Sequence, residues 1–296
     1  MIRSHLEIMK RKVTTVYAPH AQPGFLGKGH TARPVIGVDF EQSDPFIMLM
    51  DDRLEKTDYS PVGGPHPHAG FETVTLVLAG EIGEGEQGLK SGDLEMMTAG
   101  RGIVHTETIS QPASMHILQL WLNLPKHERQ AQPRVQHLSA THVPFKLEDG
   151  VVVRVYSGTF AGLTSPLKNH TPLILAELTM NANTKIETNL PSDFSSFIYV
   201  IEGSAEVGSD NKLVTKDQVG WLNRSDVPGE GELQITTGKD GARLVIYAAQ
   251  PQHHEIVSHG PFIADSMDDI RQLYSDYRSG RMGHIHDVPQ EHQFVY

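Results

Sequence analysis

Two short stretches carry residue types that can do chemistry together. The first is Gly63-Gly-Pro-His66-Pro-His68-Ala-Gly-Phe-Glu72. The second is Ala99-Gly-Arg-Gly-Ile-Val-His105-Thr-Glu107, with His105 placed 37 residues after His68. In extended chain, residues two apart point to the same face, so His66 and His68 present two imidazoles side by side, and His105 and Glu107 present an imidazole and a carboxylate. Two antiparallel strands can set these pairs opposite each other. Four such groups are costly to bury unpaired, and a divalent cation bonded to all four removes the cost. His66, His68, His105 and Glu107 are therefore the expected metal ligands. Glu72 is the second-choice carboxylate, because it shares the parity of His68 if Gly70 does not break the alternation. Three neutral imidazoles and one carboxylate suit Fe(II), Mn(II), Ni(II), Cu(II) or Zn(II), so the spacing does not name the metal.

Neighbouring residues have quieter readings. Gly100 and Gly102 either bring backbone close to a metal or form a turn needing positive φ. Arg101 is expected in a surface ion pair rather than steering an anion. His116 and Gln119 lie on a strand ending in Trp121 and are candidates for contacts behind the ligands, with His116 expected at the strand edge. His253, His254 and Glu255 look like a second cluster, yet adjacent strand residues face opposite ways, so a solvated loop is expected. Met48, Met50, Met96 and Met97 are expected as core filler. No Ser/His/Asp arrangement and no phosphate-cradling glycine loop is present.

The elements that must position these residues are strands. Short runs rich in Val, Ile, Leu, Thr and Tyr recur between Gly, Pro, Asp and Asn clusters, which is an all-β signal. They include Pro45–Met50, Thr73–Leu78, Ile117–Leu122, Val151–Tyr156, Leu173–Leu178, Phe197–Ile201 and Arg243–Ala248. One helix is expected at Ser266–Tyr277, with acidic residues in its first turn and Gly280 as a stop, closing a barrel end. Gly80 and Asp93 of the first half are echoed by Gly203 and Asp217 at offsets of 123 and 124 residues, so the chain reads as two tandem barrels with a seam near Gln130–Gly150. A length of 296 residues accommodates two such domains.

Composition narrows the function. With 36 acidic against 25 basic residues and no long Lys/Arg run, direct nucleic-acid binding is not expected. Cysteine is absent, so any metal must be held by nitrogen and oxygen. No stretch reaches the roughly 18 apolar residues of a membrane span, and the start lacks the apolar core of a signal peptide, giving a cytoplasmic expectation.

The blocks His66-Pro-His-x-Gly-Phe-Glu-Thr-Val-Thr75, Gly92-Asp93, Met97-Thr-Ala-Gly-Arg-Gly-Ile-Val-His105-x-Glu107 and Leu118-Gln-Leu-Trp-Leu-Asn-Leu-Pro125 resemble the pirin branch of the cupin superfamily. Arg11-Lys-Val, Gly27-Lys-Gly29, Asp44-Pro-Phe46 and His259-Gly-Pro-Phe262 extend the resemblance over nearly the whole chain. It implies an all-β bicupin: an N-terminal cupin domain, 1–135, holding one iron through His66, His68, His105 and Glu107, and a C-terminal cupin domain, 136–296, without metal but with the helix. The repeat agrees, since Ser195–Tyr199 offers no His where His66 and His68 would map. The family begins near Met9, so Met1–Ile8 reads as a leader or a misassigned start. One departure stands out: the segment Glu81–Ser91 is shorter than its family counterpart, which puts an inherited substrate in doubt.

Two functions follow. The resemblance implies a quercetin 2,3-dioxygenase-like oxygenase that joins a small aromatic or enolic substrate to O2 at Fe(II), with Glu107 as the base for the substrate hydroxyl. The alternative is a redox-sensing regulator acting through a protein partner. A cupin-type sugar-phosphate isomerase is set aside because only Arg101 near the motifs would meet a phosphate.

Overall fold

In a computed structural model, the chain is described at residues 8–37, 40–82 and 88–296. Residues 1–7, where a leader or a misassigned start is expected, and 83–87 of the Glu81–Ser91 segment therefore lie outside the described residues. Contacts divide the chain into two compact units, His20–Val143 with Gln252–Tyr296, and the residues up to Pro19 with Pro144–Pro251.

The first unit begins with β1 (His30–Ile36), β2 (Phe46–Lys56), β3 (Pro65–His68), β4 (Phe71–Ile82), β5 (Leu94–Thr98), β6 (Ile103–Thr106), β7 (Ala113–Asn123) and β8 (Arg134–Leu138). Its large sheet runs β8-β5-β4-β7-β2-β1, while β3 and β6 pair in a separate small sheet. Strict alternation explains why these sequences are strands. On β7, Leu118, Leu120 and Leu122 face one way and are fully buried, whereas Ile117, Gln119 and Trp121 face the small sheet.

The second unit contains β9 (Val151–Ser157), β10 (Leu173–Met180), β11 (Lys185–Pro191), β12 (Ser195–Val207), β13 (Val219–Leu222) and β14 (Glu230–Ala249). The order is β9-β10-β14-β12-β13, with β11 also on β14, and Val13–Tyr17 completes the edge against β13. Its core is apolar, including Val153, Ala176, Leu178, Ile198, Val200, Leu244 and Ile246. The Arg11 guanidinium is buried and donates to the carbonyls of Asn223 and Pro191, which fastens the N-terminal segment there.

The C-terminal segment contributes β15 (Phe262–Ala264), β16 (Gly283–His284) and β17 (Gln293–Val295). Strand β16 pairs with β6 and β17 with β8, so these residues group with the first unit. The expected division at 135 and 136 cuts the chain once, whereas the compact units cut it at 19, 143 and 251, because each terminal segment completes the other half's sheet. The cut at 143 falls inside the proline-broken stretch 130–150. The helix occupies Met267–Arg278, with Ser266 accepting from Asp269 N as its cap and Gly280 at φ 69° beyond its end. Its Ile270, Leu273 and Tyr274 pack with Phe262 and Ala69 next to β3.

Candidate metal centre

Strand pairing brings the two motifs together. Strands β3 and β6 are antiparallel with His66 directly opposite His105 and His68 opposite Ile103. His105 Nε2 lies 2.7 Å from His66 Nε2 and 3.0 Å from His68 Nε2. Glu107 follows the end of β6, with Oε2 3.9 Å from His66 Nε2. Two glycines permit this approach. Gly63, at φ 76°, would place a Cβ 2.1 Å from the Glu107 carbonyl oxygen, and Gly70, at φ 87°, would place one 1.9 Å from the Ile263 carbonyl oxygen. The backbone at Ala69 accepts from Ile263 N, so the hairpin and helix beyond it brace His68.

The donor set fits a cation. His66 Nδ1–H donates to the Gly64 carbonyl at 2.8 Å, which leaves a lone pair on Nε2 aimed at His105 Nε2. His105 Nε2 can donate or accept along only one of these two contacts, so the other short N···N approach is left without a hydrogen bond. His68 Nδ1 is buried without a hydrogen-bond partner. Burial, reinforced by the neighbouring imidazoles, pushes His68 down to about 2 and His105 down to about 3, so both are neutral and ready to ligate near neutral pH. The group His66, His68 and His105, whose ligand atoms all lie within 4.8 Å of one another, is the only such trio among the described residues.

Carboxylates gather beside it. Burial raises the Glu107 carboxyl, and the Asp52 charge adds to this, while His66 and a hydrogen bond from Gln119 act against it. Gln119 Nε2 donates to Glu107 Oε1 at 3.3 Å and reaches Thr75 Oγ1 at 3.5 Å. Asp52 is paired with His30 Nε2 at 2.9 Å, and His30 Nδ1 accepts from Leu26 N. Trp121 flanks the cluster, its ring 5.1 Å from that of His68 and stacked 4.3 Å from Phe71.

Other expectations sort by face. The turn at Gly70 breaks the alternation and sends Glu72 to the opposite side of β4, where Thr98 Oγ1 donates to it at 2.8 Å and Arg134 lies 3.7 Å away. Glu72 is thereby removed as a ligand. His116 also faces away, bonding Asp51 at 2.8 Å, whereas Gln119 meets the site. Met96 and Met97 are fully buried and Met48, half-buried, packs against the Ile47, Phe71 and Ile263 cluster, whereas half-buried Met50 shares the face of Trp121 and Gln119, a correction to its reading as plain core filler. Gly100 and Gly102 have φ of 50° and 126°, the turn geometry. Arg101 bonds Gln132 rather than a carboxylate, on the rim of a cavity of about 360 Å³ beside β6 that Arg281 and His284 also line. His253 has φ 54° and uses its backbone N–H on Asp44. Sequence reasoning missed Glu95, Asp52 and His30. The signal for Glu95 was available, a lone charge at an inward position of Leu94-Glu-Met-Met-Thr98.

Fold and site together define a two-domain cupin-type β protein with a three-histidine cluster able to hold a metal. Family models match at residues 29–122, for pirin, and 175–283, for the pirin C-terminal cupin domain. The chain belongs to the pirin family. Rat pirin is 32% identical over 286 residues, covering 92% of this chain and 94% of its own. A solved quercetin 2,3-dioxygenase from Acinetobacter baumannii is 25% identical with a TM-score of 0.80, covering 92% of this chain and 98% of that one. The Escherichia coli pirin YhhW in complex with nickel(II) shares the fold at 14% identity and a TM-score of 0.59, covering 80% of this chain and all of that one. Among the described residues, no helix is long and apolar enough to cross a membrane.

Proposed function

We propose that the chain is a metal-dependent oxygenase that opens the ring of a quercetin-like flavonol, or of a related enol or catechol, with O2. The observation that carries this reading is the convergence of three imidazole nitrogens beside a buried carboxylate on a face that includes half-buried Met50, Gln119 and Trp121. The quercetin 2,3-dioxygenase of matching fold and length supports it. The cation is proposed as Fe(II), with Zn, Mn, Ni and Cu compatible with the same donors. When bound, it supplies Lewis acidity toward a substrate oxygen and an electron path to O2.

The protein's own groups do the rest. His66, His68 and His105 hold the metal, the lone pairs of His68 and His105 kept available by burial. Glu107 is the fourth ligand and the base. Gln119 holds Oε1 in place, and burial keeps the carboxyl basic enough to take the proton of a phenolic or enolic hydroxyl. Trp121 and Met50 give an apolar wall for an aromatic ring.

Oxygen uptake by protein loaded with Fe(II) under anaerobic conditions, offered flavonols, catechols and enediols, tests the proposal against a Glu107→Gln control. Uptake with one of these compounds, lost in the control, is expected. A full metal site with no uptake for any of them would overturn the oxygenase reading in favour of a regulator acting through a protein partner.

A further inference from the structure

Glu95 occupies a place that the ligand set does not use. Gln119 on β7 is directly opposite Thr75 on β4, and Thr75 is directly opposite Glu95 on β5, so the three side chains share one face in a single row. Gln119 is the residue that reaches Glu107, so the row faces the metal cluster. Two strand spacings put the backbone of Glu95 about 10 Å from that of Gln119. This is a ring's width or more across the face from the residues that hold Glu107.

The other carboxylates on this side are engaged: Glu107 by Gln119, and Asp52 by His30. Glu95 accepts no hydrogen bond and makes no ion pair among the described residues. The influences on its carboxyl are burial, which comes first, and the charge of Glu107, and together they push it up to about 7. Near neutral pH it therefore exists in forms that can accept or donate a hydrogen bond. An unpartnered carboxyl within protein walls is costly, and Glu95 is half-buried rather than sealed, so the missing partner can arrive from the open side.

We propose that Glu95 is a specificity-determining residue whose carboxyl hydrogen-bonds a second hydroxyl of a polyhydroxylated aromatic ligand, the first oxygen of which is directed at His66, His68 and His105. This deepens the oxygenase reading and rests on it. The chemistry selects for aromatics bearing hydroxyls at both ends over those bearing only the metal-directed one. A site built to pair with a hydroxyl leaves its own carboxyl unpaired when the hydroxyl is missing.

The test is binding rather than turnover. Quercetin and 3-hydroxyflavone, which retains only the metal-directed hydroxyl, are titrated into Zn(II)-loaded protein and followed by tryptophan fluorescence. The proteins are wild type, Glu95→Leu and Glu95→Gln, with Glu95→Ala in place of the leucine variant if that does not fold. Wild type is expected to prefer quercetin by about 10-fold. The preference should vanish in Glu95→Leu and largely survive in Glu95→Gln, with metal content unchanged. Binding of both compounds with the wild-type preference intact in Glu95→Leu, or no preference in wild type, overturns the role of Glu95 and leaves the metal-site reading standing. Failure of both compounds to bind metal-replete wild type overturns both readings.

Discussion

Thr75 on β4 and Ile198 on β12 stand 123 residues apart at matching places in the two units, and their cross-strand neighbours differ in kind. Thr75 lies between Gln119 and Glu95; Ile198 lies between Ile246 and Gly220, with Ala176 next in the row. The first unit thus sets hydrogen-bonding groups where the second sets apolar side chains that contribute to a continuous core. One strand pattern serves both, because what a β scaffold requires is alternation and register, and either inner face satisfies those. The difference shows that the polar row of the first unit is not a demand of the fold. It costs stability, because polar groups stand where the second unit packs apolar ones.

The largest expected break of this contrast is Ile198→Glu. A carboxylate there has no imidazole or cation to meet it, so urea unfolding should reveal a loss of about 4 kcal/mol or more, without any gain in bound metal. Gln119→Leu makes the first unit resemble the second at one position. Glu107 loses the donor that orients it, and metal affinity should fall about 10-fold in a competition titration with a chelator.

Glu95→Gln acts through pH. With its carboxyl raised to about 7 in the fold, the folded chain keeps a proton that the unfolded chain gives up from about pH 4.5, so wild type loses this stability as pH rises through that window. The metal-free variant should therefore melt above wild type at pH 8, by about 2 kcal/mol, and match it at pH 4. Smallest of all, replacing both His253 and His254 by Ala should leave metal content unchanged. A loss there would restore the cluster set aside as a loop.

Periodicity made the strands legible, and the i, i+2 spacing made the gathering of His66, His68 and His105 with Glu107 beside them legible, because both are properties of local extended chain. What depended on a break in that regularity was not. Gly70 turns Glu72 away from the cluster, and nothing in the local pattern says whether a glycine there keeps or breaks parity until its φ of 87° is seen. The exchange of terminal segments between units was also hidden, since Val13–Tyr17 and Gly283–His284 find partners about 200 and 180 residues away, by pairings that no local pattern encodes. Glu95 was overlooked because the strand was read for its apolar content, and only its register with Thr75 and Gln119 reveals the company it keeps.

The account rests on one metal held in the first unit by the three histidines. Its most direct test is metal content per chain after anaerobic Fe(II) loading and desalting, for wild type, His66→Ala and His105→Ala, with circular dichroism as the check that each is folded. About one iron per wild-type chain and almost none in either folded variant is the predicted result. Equal iron in wild type and the variants would contradict the account.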